Sequence, residues 1–276
     1  MMEKSNPNIR MKNYEEMISI VVPVYNASDF IEKTIGFVQA QSYTNWELLL
    51  VDDCSKDNSC EIICHYEKQD PRIRLLRQTK NQGAAMARNR GISEACGRYL
   101  CFLDADDIWE KDKLKCELEF IRSKNAGFVF MGYEFADEAG NGLNRIVHVP
   151  ESITYRQALK NTTIFTSTVM IDMKKIDKQD VFMPDIASED TATWWTLLRK
   201  YGEAYGLDLN LVKYRRSANT LSSNKLVAIK RIWGLYRKHE GLGLFKSIYC
   251  MVFWAVRAVI ALMANTPLHV IVFRSA

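Results

Sequence analysis

From Ile18 onward, short apolar runs alternate with stretches in which apolar residues recur every three or four positions. This pattern predicts strands over Ile18–Val24, 46–51, Ile73–Arg77 and 98–103, separated by helices over 29–41, 57–68 and 83–95, in βαβαβαβ order. Ile18-Ser-Ile-Val-Val-Pro-Val24 and Leu48-Leu-Leu-Val51 are near-continuously apolar rather than alternating. Such strands are covered on both faces, as in a parallel sheet between helical layers. A helix over 111–123, a strand over 126–135, a strand over 164–171 and a helix over 191–201 follow. The polar stretch 137–150, with Gly140-Asn-Gly142, reads as a hairpin or surface loop. Two last helices are expected over 226–239 and 244–264, the first basic and the second with a strongly apolar face.

The chain has 276 residues, 47% of them apolar, enough to bury a sizeable core. Its net charge of +4 hides an asymmetry: residues 1–205 hold 26 basic and 31 acidic side chains (net −5), and 206–276 hold 11 and 2 (net +9). The expected division is a polar N-terminal extension over 1–16, an α/β domain over 17–212 and a basic, amphipathic helical extension over 213–276. The seven cysteines include no CxxC pair and read as reduced thiols of a cytosolic protein. The N-terminus lacks the apolar core of a signal peptide.

In an open α/β sheet, ligands bind at the C-terminal ends of the parallel strands. The residues following the predicted strands are Pro23-Val-Tyr-Asn26, Asp52-Asp-Cys-Ser55, Thr79-Lys-Asn-Gln-Gly83 and Asp104-Ala-Asp-Asp107. Three carboxylates crowded at one strand end call for positive charge beside them, such as a divalent cation that also holds a phosphate. Each motif also has a local reading: Asp107 and the Asp52-Asp53 turn as helix caps, Arg88 as a surface ion-pair partner, Tyr25 as an aromatic at the core edge. No GxGxxG follows the first strand and no GxxxxGK[ST] occurs anywhere, so a glycine-rich phosphate cradle is excluded.

The series Ser19-Ile-Val-Val-Pro-Val-Tyr-Asn26, Val51-Asp-Asp-Cys-Ser55, Asn81-Gln-Gly-Ala-Ala-Met-Ala-Arg-Asn89, Phe102-Leu-Asp-Ala-Asp-Asp107 and Ser188-Glu-Asp190 resembles the family 2 inverting glycosyltransferases of GT-A fold. The resemblance spans residues 18–201. It implies a Rossmann-like, mostly parallel sheet flanked by helices. It further implies that Asp53, with Asp52, meets the base of the donor nucleotide, usually uracil, that Pro23 and Tyr25 line that pocket, and that Arg88 lies near the nucleotide. Asp104 and Asp106 match the family's DxD element, with Asp106 the direct ligand of Mn²⁺ or Mg²⁺ and Asp104 nearer the ribose or the metal's waters. Asp190 matches the base that takes the acceptor's proton, as inverting transfer requires. Glu189 orients the acceptor or holds a helix N–H, and at most one of Trp194 and Trp195 stacks on a sugar, a core position being the alternative. Cys54 departs from the family, many members of which carry glycine there.

The tail sets Lys230, Arg231, Arg237, Lys238, Lys246 and Arg257 beside Phe245, Tyr249, Phe253, Trp254, Val259, Ile260 and Leu262. That combination suggests a helix lying in an anionic membrane interface, Arg257 breaking any run long enough to span; packing on the body is the alternative. Basic residues around Tyr214-Arg-Arg216 are candidates for phosphate contacts, and no motif supports a nucleic-acid partner. The expected protein is therefore a metal-dependent transferase on the inner face of the plasma membrane, moving sugar from a UDP-sugar to a lipid-linked surface glycan. The competing reading is a non-catalytic, membrane-associated sugar-nucleotide binding protein.

Overall fold

The computed structural model describes residues 15–215 and 225–263. The expected N-terminal extension lies outside these residues up to position 14, as do Arg216, Ala264 and the side chains of Val259, Ile260 and Leu262. The first half follows the predicted alternation: β1 (Ile18–Val24), α1 (Ile31–Gln39), β2 (Trp46–Asp52), α2 (Ser59–Glu67), β3 (Ile73–Arg77), α3 (Gly83–Glu94) and β4 (Tyr99–Phe102). β3, β2, β1 and β4 pair in that order, all parallel. Every residue of β2 and β4 is buried, as near-continuous hydrophobicity requires of strands covered on both faces.

The second half departs from the expected pattern in three places. The single strand expected over 126–135 is two, β6 (Phe128–Met131) and β7 (Tyr133–Ala136), which part at Gly132 and enter different sheets. The strand expected over 164–171 begins as a 3-10 turn, Thr166–Thr168, in which the Thr168 hydroxyl bonds back to the Phe165 carbonyl; only β10 (Val169–Asp172) is strand. The short strands β5 (Ile108–Trp109), β9 (Ser152–Thr154), β11 (Glu203–Leu207) and β12 (Val212–Arg215) carry too little periodicity to read from sequence.

β10 pairs antiparallel with β4 and β6, β11 pairs parallel with β6, and β9 closes the edge antiparallel to β11. Six of the eight strands of the main sheet thus point one way. A second sheet runs β5-β12-β7-β8, with β8 spanning Gly142–Val147 in the stretch expected to be a hairpin or loop. The remaining helices of the body are α4 (Lys113–Ser123), α5 (Tyr155–Ala158), α6 (Lys178–Val181) and α7 (Glu189–Tyr201).

The tail forms α8 (Lys225–Gly234), which runs into a π-helical turn at Leu235–His239, and then α9 (Leu244–Met263). The π turn packs on the body: Tyr236 stacks on Trp195 with ring centroids 5.5 Å apart and its hydroxyl donates to the Leu159 carbonyl. Glu240 is buried there and accepts from Arg199 at 2.5 Å and from the Tyr155 hydroxyl. α9 is different: it buries Ser247 and Cys250 but leaves Phe245 88% exposed, with Ile248, Tyr249, Val252, Phe253 and Val256 also exposed. Among the described residues no helix is long and apolar enough to cross a membrane.

Candidate active site

The loops after β1 and β2 are laced together by the polar residues of their motifs. The Asn26 N–H donates to Ser55 Oγ at 3.0 Å, and the Lys56 N–H donates to Asn26 Oδ1 at 2.8 Å. Asp57 Oδ2 accepts from the Ser28 N–H at 2.9 Å, and Oδ1 accepts from the Ser59 hydroxyl at 2.6 Å and its N–H at 3.0 Å. Burial would raise that carboxyl, but these donors hold it down at about 2. Pro23 is half-buried and Tyr25 is 49% exposed, so the tyrosine ring stands open at the strand ends.

Asp52 and Asp53 are both buried and both turned onto their own chain. Asp52 accepts from the Ser55 N–H at 3.2 Å. Asp53 Oδ1 takes the Gln82 N–H and the Gln78 side-chain amide, each at 2.8 Å, and Oδ2 takes the Gly83 N–H at 2.7 Å. Gly83 sits at φ +84°, a backbone conformation that L side chains rarely adopt, and this lets the start of α3 offer its free N–H groups to Asp53. A carboxylate has about four acceptor positions, so Asp53 keeps one on Oδ2. Cys54 adopts φ 62°, which accounts for glycine being common in the family at this position, and its thiol reaches the Gln78 carbonyl at 3.2 Å.

α3 carries Arg88 inward on the same stripe as Ala85 and Ile92. The helix can lie this close to the sheet because of Gly91, where a Cβ would come within 2.4 Å of Val21 Cγ1. Arg88 Nη2 then meets Asp104 Oδ1 at 2.6 Å and Nη1 meets Glu189 Oε1 at 2.9 Å. Burial works against the guanidinium's charge, but Asp104 and Glu189 more than offset it and raise its pKa. Asn89 beside it exchanges two hydrogen bonds with the Met183 main chain, at 2.8 and 2.7 Å, and so fastens the segment leading to α7. Arg88 is therefore not a surface ion-pair partner; it is buried and ties two acidic motifs together.

Around the acidic turn, burial and then Asp104 push the Asp106 carboxyl up. Asp107 is pushed well up by burial and by Asp104 and Asp106, although Ser167 Oγ donates to its Oδ2 at 2.5 Å. Asp107 thus faces inward as a structural group rather than capping the next helix. Arg215, a candidate for phosphate contact, donates from Nε to the Asp106 carbonyl at 2.8 Å and from Nη1 to the Glu138 carbonyl at 2.7 Å. Two carboxylates, Asp104 and Asp106, remain for a cation. Among the described residues no three acidic, histidine or cysteine side chains gather as a ready-made metal cage. A Mg²⁺- or Mn²⁺-type ion takes one or two protein carboxylates and completes its shell with substrate phosphates and water, so Asp104 and Asp106 are the residues that could hold one.

On the opposite side, Ser188 enters α7 with φ 61° and presents Glu189 and Asp190 in the first turn. Burial and Asp190 raise the Glu189 carboxyl, with Arg88 opposing. Asp190 Oδ1 takes its neighbour's Thr191 N–H at 2.6 Å, and Oδ2 accepts from Thr166 Oγ1 at 2.9 Å. Trp194, expected as a possible sugar platform, is 2% exposed and enclosed by Phe102 and Phe128, so it belongs to the core, as does Trp195.

Thr166 and Ser167 are site-building residues that motif reading passed over, and Asn89, quoted within a motif, was given no role. The hydroxyl run Thr166-Ser-Thr168 inside an otherwise apolar stretch was the available signal. Also unforeseen is the pair Lys113–Glu117, wholly buried behind β4, with Nζ 2.5 Å from Oε2 and 4.0 Å from the Trp109 ring centroid.

Comparison with known proteins fits this arrangement. The chain is 44% identical over 250 residues, 90% of its length and 98% of the relative's, to a Bacillus subtilis (strain 168) protein assigned to teichuronic acid biosynthesis as the glycosyltransferase TuaG. It is 35% identical over 218 residues, 79% of its length and 84% of the relative's, to the Escherichia coli UDP-Glc:alpha-D-GlcNAc-diphosphoundecaprenol beta-1,3-glucosyltransferase WfgD. In fold it resembles S. aureus TarS 1-349, solved with UDP-GlcNAc, with TM-score 0.63 at 19% identity over 87% of this chain and 71% of that one. It also resembles the Pyrobaculum calidifontis mannosyltransferase PcManGT, solved with GDP-Man and Mn2+, with TM-score 0.66 at 16% identity over 92% and 78% of the two chains. The sequence model for glycosyl transferase family 2 matches residues 19–181, more than half the chain, and the chain belongs to that family of enzymes, with the GT-A fold.

Proposed function

We propose that this transferase is metal-dependent and inverting, and moves a sugar from a UDP-sugar to a hydroxyl of a growing, lipid-linked cell-surface glycan. The observation that carries the reading is the Asp104–Arg88–Glu189 bridge, which ties the Asp104–Asp107 turn to the Glu189-Asp190 pair. A divalent cation on Asp104 and Asp106 would supply positive charge for the departing diphosphate. The remaining acceptor position of Asp53 suits the single N–H of a uracil imide, while Pro23 and Tyr25 flank the base and Asp52 shapes the loop. Asp190 takes the proton of the incoming hydroxyl and Glu189, neutralised in part by Arg88, orients the acceptor.

The names of the relatives support the donor and acceptor classes: one carries UDP-Glc and a diphosphoundecaprenol-linked sugar, the other teichuronic acid biosynthesis. The exposed apolar stripe of α9, flanked by Lys246, Arg257 and Lys160, supports docking on an anionic membrane surface at the cytoplasmic face, next to such an acceptor.

The test is nucleotide release from a panel of UDP-, GDP- and dTDP-sugars, with Mn²⁺ or with chelator, with and without a polyprenyl-diphosphate-linked GlcNAc acceptor. Release from a UDP-sugar that chelator and Asp190→Asn both abolish is expected. Metal-dependent UDP binding with full release in Asp190→Asn would remove the base, and UDP binding without turnover under any of these conditions would favour the non-catalytic binding protein.

A further inference from the structure

The two halves of the site meet at one short turn. Thr166 and Ser167 are adjacent residues of a 3-10 turn and both are buried. Ser167 Oγ accepts the Asp104 N–H at 3.1 Å and donates to Asp107 at 2.5 Å, so it fixes the acidic turn from inside. Thr166 Oγ1 donates to Asp190 Oδ2 at 2.9 Å, so it fixes the other carboxylate. The turn is held in place. Trp109 Nε1 donates to the Ser167 carbonyl at 2.8 Å, Thr168 Oγ1 bonds the Phe165 carbonyl at 2.6 Å, and the Phe165 ring lies 4.9 Å from both Tyr133 and Tyr214.

From this arrangement we propose that Thr166 is a positioning residue for the transfer reaction, aiming the Asp190 carboxylate at the acceptor hydroxyl while its neighbour Ser167 sets the acidic turn, so that one rigid turn determines the spacing between base and donor. The proposal rests on the reading of Asp190 as the base. Oδ1 of Asp190 is engaged by its helix neighbour Thr191, through the N–H at 2.6 Å and the hydroxyl at 3.3 Å, which leaves rotation of the carboxylate about its Cα–Cβ and Cβ–Cγ bonds to be stopped by the second oxygen. Thr166 provides that stop. Asp190 is part-exposed, so water can satisfy Oδ2 when the hydroxyl is lost, and what changes is aim rather than charge. A misaimed reacting group costs rate without weakening donor binding, because the donor contacts proposed above, Pro23, Tyr25, Asp53 and the acidic turn, do not include Thr166.

The experiment compares Thr166→Val, Thr166→Ser and Asp190→Asn in the full chain, by nucleotide release from UDP-glucose with Mn²⁺ and by crystal structures of the two Thr166 variants. Valine has nearly the shape of threonine without the donor, and serine keeps the donor. The expected result is a kcat lower by about tenfold to a hundredfold in Thr166→Val, with donor KM and thermal unfolding little changed, most of kcat restored in Thr166→Ser, and the Asp190 carboxylate rotated in the valine variant only. Unchanged kcat in Thr166→Val, equal losses in valine and serine variants, or an Asp190 carboxylate that keeps its place in the valine structure would each overturn the proposal. Turnover that survives in Asp190→Asn overturns the reading of the base, and this proposal with it.

Discussion

Arg88 Nη2 stands 2.6 Å from Asp104 Oδ1, and the same guanidinium reaches Glu189 with its other terminal nitrogen. Two acidic motifs 85 residues apart, at positions 104 and 189, are joined through one planar cation with two usable edges. Removing it leaves two carboxylates facing each other with their neutralising charge gone. Arg88→Ala is expected to lower the unfolding free energy by about 3–5 kcal/mol and to reduce nucleotide release at least about a hundredfold. Arg88→Lys keeps the charge but cannot span both partners, so urea unfolding should recover more than turnover does. A lysine variant with the turnover of the unaltered chain would show that charge alone, not the bridge, matters.

Cys54 tells the same kind of story on the backbone. At φ 62° a side chain costs about 1–2 kcal/mol, and glycine relieves it while giving back about 0.4–1 kcal/mol through the freer unfolded chain. Cys54→Gly should therefore be more stable by about 0.5 kcal/mol, less whatever the thiol contact to Gln78 contributes, and Cys54→Val less stable by about 2 kcal/mol. Denaturant midpoints at unchanged slope would read the order glycine, cysteine, valine; valine equal to glycine would mean the loop relaxes out of the left-handed region.

What the sequence made legible is what repeats or follows a strand. β1 to β4 announced themselves through near-continuous apolar runs, and the positions of Asp104 and Asp106 after a strand and of Asp190 at a helix start could be read the same way. The roles of the side chains were harder to read. Arg88 sits at i+3 from Ala85 and i−4 from Ile92, a spacing that marks it as inward-facing, yet its two carboxylate partners, 16 and 101 residues away, leave no local trace. Thr166 and Asp190 are 24 residues apart and become partners only because β10 runs back against β4, an antiparallel step that no local pattern encodes. Gly132 divided one apolar run between two sheets for a similarly non-local reason: its N–H bonds the Leu207 carbonyl, and a Cβ there would crowd the Val147 carbonyl at 3.0 Å.

Lys113 and Glu117 look in sequence like an ordinary exposed i,i+4 pair, and they are wholly buried. Burial raises the Glu117 carboxyl to about 7 from its ordinary 4.5, with Lys113 pulling the other way. A carboxyl raised on folding contributes stability that is present below its unfolded pKa and is lost as pH rises through the folded one. The chain should therefore lose stability between about pH 4.5 and pH 7 from this group. Lys113→Met alone or Glu117→Leu alone strands a buried charge and should cost about 3–5 kcal/mol, whereas the double replacement should be near neutral and should remove the pH slope in that window. Calorimetric unfolding of the four chains at pH 4.5, 6 and 7 measures both effects, and a slope that persists in the double variant would assign it to other groups.

α9 keeps one apolar face uncovered by the body. Phe245 and Val252 lie two turns apart on one exposed stripe, and the Lys160 ammonium sits 5.0 Å above the Tyr249 ring and 5.2 Å above that of Phe253. Apolar side chains flanked by cations bind an anionic interface through burial and through charge, and the two contributions separate by lipid composition and salt. The intact chain should float with vesicles containing phosphatidylglycerol, more weakly with neutral phosphatidylcholine, and less as salt rises. Phe245→Ser with Val252→Ser removes about 3 kcal/mol or more of apolar burial, so partitioning should fall at least about a hundredfold with no change in nucleotide release from a soluble donor. Lipid binding that survives this double change would assign membrane contact to another surface, whereas equal binding to neutral and anionic vesicles would remove the role of the basic residues beside the stripe.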